Sequence, residues 1–251
     1  MTYPKTLAYY PLHYGAEYLS ESLQSIASYC AEIIFLYTAK PSYGFSGNVP
    51  CPETRDHLEN IISKTLSKYP QVKWRMIDVD FGNEGEHRHE IWKYTKGFDL
   101  VLAVDGDEVW SGTSLRECLN YAHKKAKAKY IGISGFVNFW RSFNHACYDS
   151  FCPIRIYKVN AKNNDQEFIE GKVYHFSCAQ SEAIMRYKYE IHGHKEEIRP
   201  DWLEKIYFGW TPDMRFLHPV SLQIWGEALP FNKYTLPSFM KMHPNFNKEK
   251  I

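Results

Sequence analysis

Two runs of almost unbroken apolar character, residues 32–38 and 99–104, constrain this chain more than any other feature. A strand with one wet face alternates apolar and polar residues. A strand apolar throughout needs cover on both faces, as in a parallel sheet flanked by helices. Amphipathic helices lie between such runs. Leu19, Leu23, Ile26, Ala27 and Cys30 recur at helical spacing, and Leu58, Ile61, Ile62, Leu66 and Tyr69 do the same before Pro70. Further strands are expected at 5–10, ended by Pro11, and at 72–79. A third helix is expected over 84–96 with Gly97 as its cap, and a fourth is marked by Leu115, Cys118, Leu119 and Ala122. Strands alternating with helices predict parallel pairing through right-handed crossovers. The expected fold is α/β: a Rossmann-like open mixed sheet flanked by helices, with its ligand site at the carboxyl ends of the strands.

The second half is less regular. Strands are expected at 130–138 and 154–159 and a helix at 181–191. The part after Pro200, rich in Pro, Trp and Phe, reads as an irregular segment packed over the sheet. At 251 residues the chain suits one domain with a full core and no need of disulfides. The formal net charge of +1 removes any argument from net charge for a nucleic-acid or membrane partner, a local basic patch being left open. No apolar run reaches membrane-spanning length, and the N-terminus does not read as an export signal. The expected location is therefore cytoplasmic, with peripheral membrane attachment left open. The six cysteines, at 30, 51, 118, 147, 152 and 178, include no C-x-x-C pair and read as reduced thiols.

The sharpest chemical signal is Asp105-Gly106-Asp107-Glu108, directly after the buried run. Carboxylates at a strand end can approach one hard cation, Mg²⁺ or Mn²⁺, which can bridge a diphosphate and neutralise charge on a leaving group. A solvated turn is the plain alternative for the bare motif.

With these neighbours the chain resembles family 2-like glycosyltransferases of the GT-A fold. The resemblance is carried by Tyr10-Pro11-Leu12-His13-Tyr14-Gly15-Ala16-Glu17, by Glu86-His87-Arg88-His89-Glu90, and by the segment from Leu102 to Trp110. Tyr174-His175-Phe176-Ser177-Cys178, with Lys188 and His192-Gly193-His194, resembles a segment of the family 17 β-N-acetylglucosaminyltransferases. Phe216-Leu217-His218-Pro219, Pro230-Phe231 and His243-Pro244 resemble the tail of small bacterial and phage transferases. Where the family often carries Val-Asp-Asp-Gly-Ser, this chain reads Leu36-Tyr37-Thr38-Ala39.

The resemblance implies a metal-dependent transferase that moves a sugar from a nucleoside-diphosphate donor, expected to be a UDP-sugar, to an acceptor hydroxyl with inversion. It implies one domain over 1–251, with a donor half at 1–110 and an acceptor half with the tail at 111–251. The donor would meet Tyr10, Pro11, Glu17, Thr38, Arg88 and Asp105. The cation, Mn²⁺ or Mg²⁺, would meet Asp105, Asp107 and His175. Trp140, Arg141 and His194 would face the acceptor, and Glu182 or Asp149 would serve as general base. Glycan, lipid-linked sugar, protein and modified nucleic-acid base are not distinguished as acceptors. The Asp105-x-Asp107 pattern also fits a haloacid-dehalogenase-like phosphohydrolase with Asp105 as nucleophile. A non-catalytic sugar- or nucleic-acid-binding protein on the same scaffold is the other rival. The basic run 124–129 is read as a solvated helix end.

Overall fold

The structure is a computed structural model that describes residues 4–41, 50–80, 83–193 and 195–251. Residues 42–49 lie outside the described residues, as does His194.

The first half follows the expected alternation. Strands β1 (Thr6–Leu12), β2 (Glu32–Tyr37), β3 (Lys73–Asp78) and β4 (Leu100–Ala103) are mutually parallel, in the order β4-β1-β2-β3. Between them run α1 (Ala16–Ile26), α2 (Arg55–Leu66), and α3 (Glu84–His89) with a 3₁₀ segment at Glu90–Tyr94. Side chains on a strand alternate between faces, and both faces are covered. Ala8, Tyr10, Leu12, Ile33 and Phe35 pack with Leu19, Leu23, Leu58 and Ile62 of α1 and α2. Leu7, Tyr9, Ile34, Leu36 and Val101 pack with Ile91 and Phe98 on the other face.

Pro11 was expected to end β1, yet it sits inside the strand, opposite Leu36. Proline is tolerated in a sheet only where its missing N–H faces no partner. Pairing of β1 with β4 stops at Tyr9 and Ala103 while pairing with β2 runs on to Leu12. Tyr9 turns its carbonyl toward the β4 side and accepts from Val104. Pro11, two residues on, faces that same side beyond the end of β4, so no ladder bond is lost.

The second half extends the same sheet. After β5 (Glu108–Trp110) and α4 (Gly112–Lys124) come β6 (Tyr130–Trp140), β7 (His145–Cys147), β8 (Ile154–Lys158), β9 (Gln166–Cys178), α5 (Glu182–Glu190) and a short β10 (Leu229–Pro230). β8 joins antiparallel to β4, β6 antiparallel to β8, β9 parallel to β6, and β5 antiparallel to β9. The result is an open mixed sheet of ten strands among the described residues. The C-terminal segment is irregular apart from β10, short 3₁₀ turns and one π-helical stretch, Trp202–Phe208. It buries β6 and β9 from outside: Leu236, Met240 and Phe246 pack on Phe139 and Phe176, while Trp202, Tyr207 and Trp225 pack on Trp140. No helix is long and apolar enough to cross a membrane among the described residues.

Candidate active site

The chain runs from β1 to β2 and β3 on one side, then returns to place β4 on the other. The carboxyl ends of β1 and β4 therefore flank a topological switch point, where such sheets open a crevice. A cavity of about 360 Å³ lies there. The turn after β1 (Pro11, His13, Tyr14, Gly15) and the turn after β4 (Asp105, Gly106, Asp107) form two of its walls. Glu84, His87, Arg88, His175, Gln180, Lys188 and His192 complete much of the lining. The two turns meet backbone to backbone. A side chain on Gly106 would stand 3.7 Å from the Gly15 Cα, and Gly15 itself takes φ 136°, open only to glycine.

Asp105 is fixed between two guanidinium groups. Its Oδ1 accepts from Arg88 Nη2 at 2.9 Å and its Oδ2 from Arg155 Nη2 at 2.8 Å. Burial alone would raise its pKa; the charges of Arg88 and Arg155 overcome that and hold the carboxyl well below its usual range. Arg155, on β8, also grips fully buried Glu108 through Nε at 3.0 Å to both oxygens. Burial raises the Glu108 pKa, opposed by Arg155. Arg88 is further tied to Glu84 at 2.7 Å.

Asp107 has a different setting. Its backbone carbonyl accepts from Phe176 N–H, and β5 pairs Glu108 with His175. This pairing brings His175 Nε2 to 3.5 Å from Asp107 Oδ1. Asp107 Oδ2 accepts from Gln180 at 2.8 Å, and Lys188 Nζ stands 3.9 Å away, held by the carbonyl and hydroxyl of Ser177. Burial pushes the Asp107 pKa up, and the neighbouring His175 and Lys188 more than reverse it. For His175, burial favours the neutral ring and Asp107 favours the charged one; the net shift is upward.

No three His, Cys, Asp or Glu side chains among the described residues converge as a ready-made metal cluster. The residues present still fit a hard cation as a partial shell. Two ligands at about 2.1 Å from one ion lie about 3–3.4 Å apart, close to the 3.5 Å between Asp107 Oδ1 and His175 Nε2. A shell of one or two protein ligands completed by substrate phosphate oxygens and water is ordinary for Mg²⁺-type sites. Asp105 differs, because both its oxygens already serve arginines.

The other expected site residues fall as follows. Pro11 lines the cavity. Tyr10 is core, its hydroxyl on Ser22. Glu17 accepts from the Ser181 N–H and so holds the start of α5. Thr38 is buried, its hydroxyl on the Lys40 carbonyl and its own carbonyl hydrogen-bonded to the ring of His13. Trp140 is fully buried against Trp202, Tyr207 and Trp225, so it offers no face to an acceptor. Arg141 is buried and spends Nη1 on the carbonyls of Tyr207 and Phe208. Glu182 is 63% exposed and paired with Arg186. Asp149 sits behind His175, not in the cavity, with its oxygens engaged by Phe151, Trp225 and Asn138. Arg155 and Gln180 were not anticipated. Their sequence distances from Asp105 and Asp107, 50 and 73 residues, are bridged only by strand pairing and the turn after β9.

No protein-family model matches the chain, and no curated protein sequence does. Among solved structures it is similar to S. aureus TarS 1-349, at 17% identity and TM-score 0.42, covering 62% of this chain and 47% of that one. It is similar to mannosyltransferase PcManGT from Pyrobaculum calidifontis, in complex with GDP-Man and Mn²⁺, at 9% identity and TM-score 0.48, covering 75% and 61%. A 4-diphosphocytidyl-2C-methyl-D-erythritol synthase from Anaerococcus prevotii stands at 13% identity and TM-score 0.41, covering 73% and 96%. The chain thus spans less than two thirds of the first two. Likeness at this level carries no statement about activity. What the chain itself displays is an α/β open mixed sheet with an acidic and cationic cavity at its switch point.

Proposed function

We propose that this chain is a metal-dependent glycosyltransferase of GT-A type, which takes a sugar from a nucleoside diphosphate, in the first instance a UDP-sugar, and passes it with inversion to an acceptor hydroxyl. The observation that carries this reading is the facing pair Asp107 Oδ1 and His175 Nε2, 3.5 Å apart in a cavity also lined by Arg88 and Lys188. A carboxylate and an imidazole can share Mn²⁺, while Mg²⁺ would take the carboxylate oxygen alone, and two fixed cations beside them suit a diphosphate.

In this reading Asp107 and His175 hold the cation, which when bound supplies Lewis-acid stabilisation of the leaving diphosphate. Arg88 offers its fork to the phosphate oxygens, exchanging part of its pairing with Glu84 and Asp105. Lys188, held by Ser177, adds a positive charge on the opposite side of Asp107. Arg155 keeps Glu108 and Asp105 in place as the charges around them change. The nucleoside would lie toward the turn after β1, between Pro11, His13 and Tyr14. Residues 1–110 are then the donor half and 111–251 the acceptor half of a single domain.

Calorimetric titration with UDP, UDP-glucose, UDP-GlcNAc and GDP-mannose, with and without Mn²⁺, tests the reading. Mn²⁺-dependent micromolar binding that vanishes in Asp107→Ala is the expected result. Absence of binding by every nucleotide under both metal conditions would overturn it.

A further inference from the structure

Behind His175 runs a hydrogen-bond chain that the reaction does not itself touch. Asp149 lies in the connection between β7 and β8. Its Oδ1 accepts the Phe151 N–H at 2.9 Å. Its Oδ2 accepts the Trp225 indole N–H at 2.6 Å and the Asn138 Nδ2 at 3.4 Å. A carboxylate has no hydrogen to give, so the side of the Asn138 amide turned toward it is the NH₂. The other side, Oδ1, then meets His175 Nδ1, at 2.9 Å. An amide oxygen also only accepts, so Nδ1 carries a hydrogen. In the neutral ring this leaves the lone pair on Nε2, the nitrogen that faces Asp107.

The fold assembles this chain from four separate places. β6 and β9 pair in parallel with Asn138 opposite His175. The connection after β7 supplies Asp149, and the C-terminal segment supplies Trp225. Asn138 is only 7% exposed, so water cannot readily replace a lost partner, and an unpaired buried amide is costly. Without Asn138 the ring would keep only Asp107, whose carboxylate 3.5 Å from Nε2 draws the hydrogen to that nitrogen instead.

We infer that Asn138 and Asp149 are positioning residues: they lock His175 in the Nδ1–H tautomer and aim its Nε2 lone pair at the place where Asp107 would share a cation. The part of this that concerns the cation rests on the function proposed above; the tautomer does not.

Nitrogen-15 NMR of the metal-free protein at pH 9 reads the tautomer directly, with the His175 signal assigned by its loss in His175→Gln. The expected result is a hydrogen on Nδ1 in the wild type and a shift of that hydrogen toward Nε2, facing Asp107, in Asn138→Ala. Electron paramagnetic resonance titration should show Mn²⁺ affinity falling about 10–100-fold in Asn138→Ala. Asp149→Ala should weaken it less, and the double variant should be no weaker than Asn138→Ala alone, since both residues act through one ring. Melting temperatures establish that each variant is folded. A wild-type hydrogen on Nε2 overturns the inference without any variant, as does an unchanged tautomer and affinity in folded Asn138→Ala. An Nδ1–H tautomer lost in Asn138→Ala, in a protein that binds no Mn²⁺, upholds the lock and removes the cation reading instead.

Discussion

At the scale of single residues, the site is a balance of charges taken out of water. Glu108 is wholly buried and Arg155 is its direct counter-ion, with Asp105 sharing the same guanidinium. Removing one partner of a buried pair leaves the other uncompensated, which costs far more than the pair is worth. Arg155→Met should therefore destabilise the protein by about 3–5 kcal/mol in urea unfolding, even though Met is close in volume. The double change Arg155→Met with Glu108→Gln should recover part of that loss. Glu21 on α1 shows the opposite case, a carboxylate whose burial outweighs its partners. Burial raises its pKa from 4.5 to about 7, with a hydrogen bond from its own backbone N–H and then Lys68 only partly opposing. A raised carboxyl pKa means the folded state is penalised above about pH 7 and not below 4.5, where both states are protonated. Glu21→Gln should accordingly stabilise the protein at pH 8.5, by about 2 kcal/mol after allowing for its partial exposure. The difference should fade by pH 5. An equal gain at both pH values would show that charge is not the cause.

At the scale of elements, β9 does most to build the site, and it was the hardest to read. It runs for thirteen residues, Gln166–Cys178. Its first half, QEFIEG, mixes polar and apolar residues and ends in Gly171, so it shows neither alternation nor an unbroken apolar run. The three residues of β5 and of β7 are too short to show a period. By contrast 32–38 and 99–104 read as strands at once, because burial on both faces leaves an unbroken apolar run. The β6–β9 pairing depends on a glycine at one of the two places where the ladder slips. Gly135 takes φ 87°, and a Cβ there would run into the Gly171 carbonyl oxygen. Gly135→Ala combines left-handed strain with a backbone clash and should cost about 1–3 kcal/mol, seen as a lower urea midpoint with unchanged slope.

At the scale of the whole molecule, the C-terminal segment is structural cover for the site's own strands. His243 reaches back to the start of α1. Its Nδ1 accepts the Asn245 N–H at 3.1 Å, which leaves Nε2 to donate to the Glu17 carbonyl at 2.7 Å, and its ring stacks on Tyr18 at 4.6 Å. That is a neutral ring used at both nitrogens. Burial lowers its pKa below the ordinary 6.5, with Glu17's carbonyl only partly opposing. A depressed histidine pKa means stability is intact above about 6.5 and is lost as pH falls toward the folded-state value. His243→Gln removes this dependence. The stability of wild type relative to that variant should therefore shrink between pH 7.5 and 5 when measured by urea unfolding. A constant difference would show that His243 is not the acid-sensitive contact.

The sequence by itself determined the layered half of this protein. Apolar runs and helical spacing are local patterns, and each reports burial of its own element. Four parallel strands, their helices and an acidic turn at the end of β4 follow from that. Asp107, Arg88 and His175 were legible as candidates because residue type and position near a strand or helix end are also local. Only the tertiary structure decided what surrounds them. Arg155 reaches Asp105 because β8 pairs with β4, and Asn138 reaches His175 because β6 pairs with β9. Trp140 and Arg141 are core because the C-terminal segment closes over them. Such contacts join residues tens of positions apart through strand register, and register is set by the packing of the whole sheet, which no local window of sequence contains.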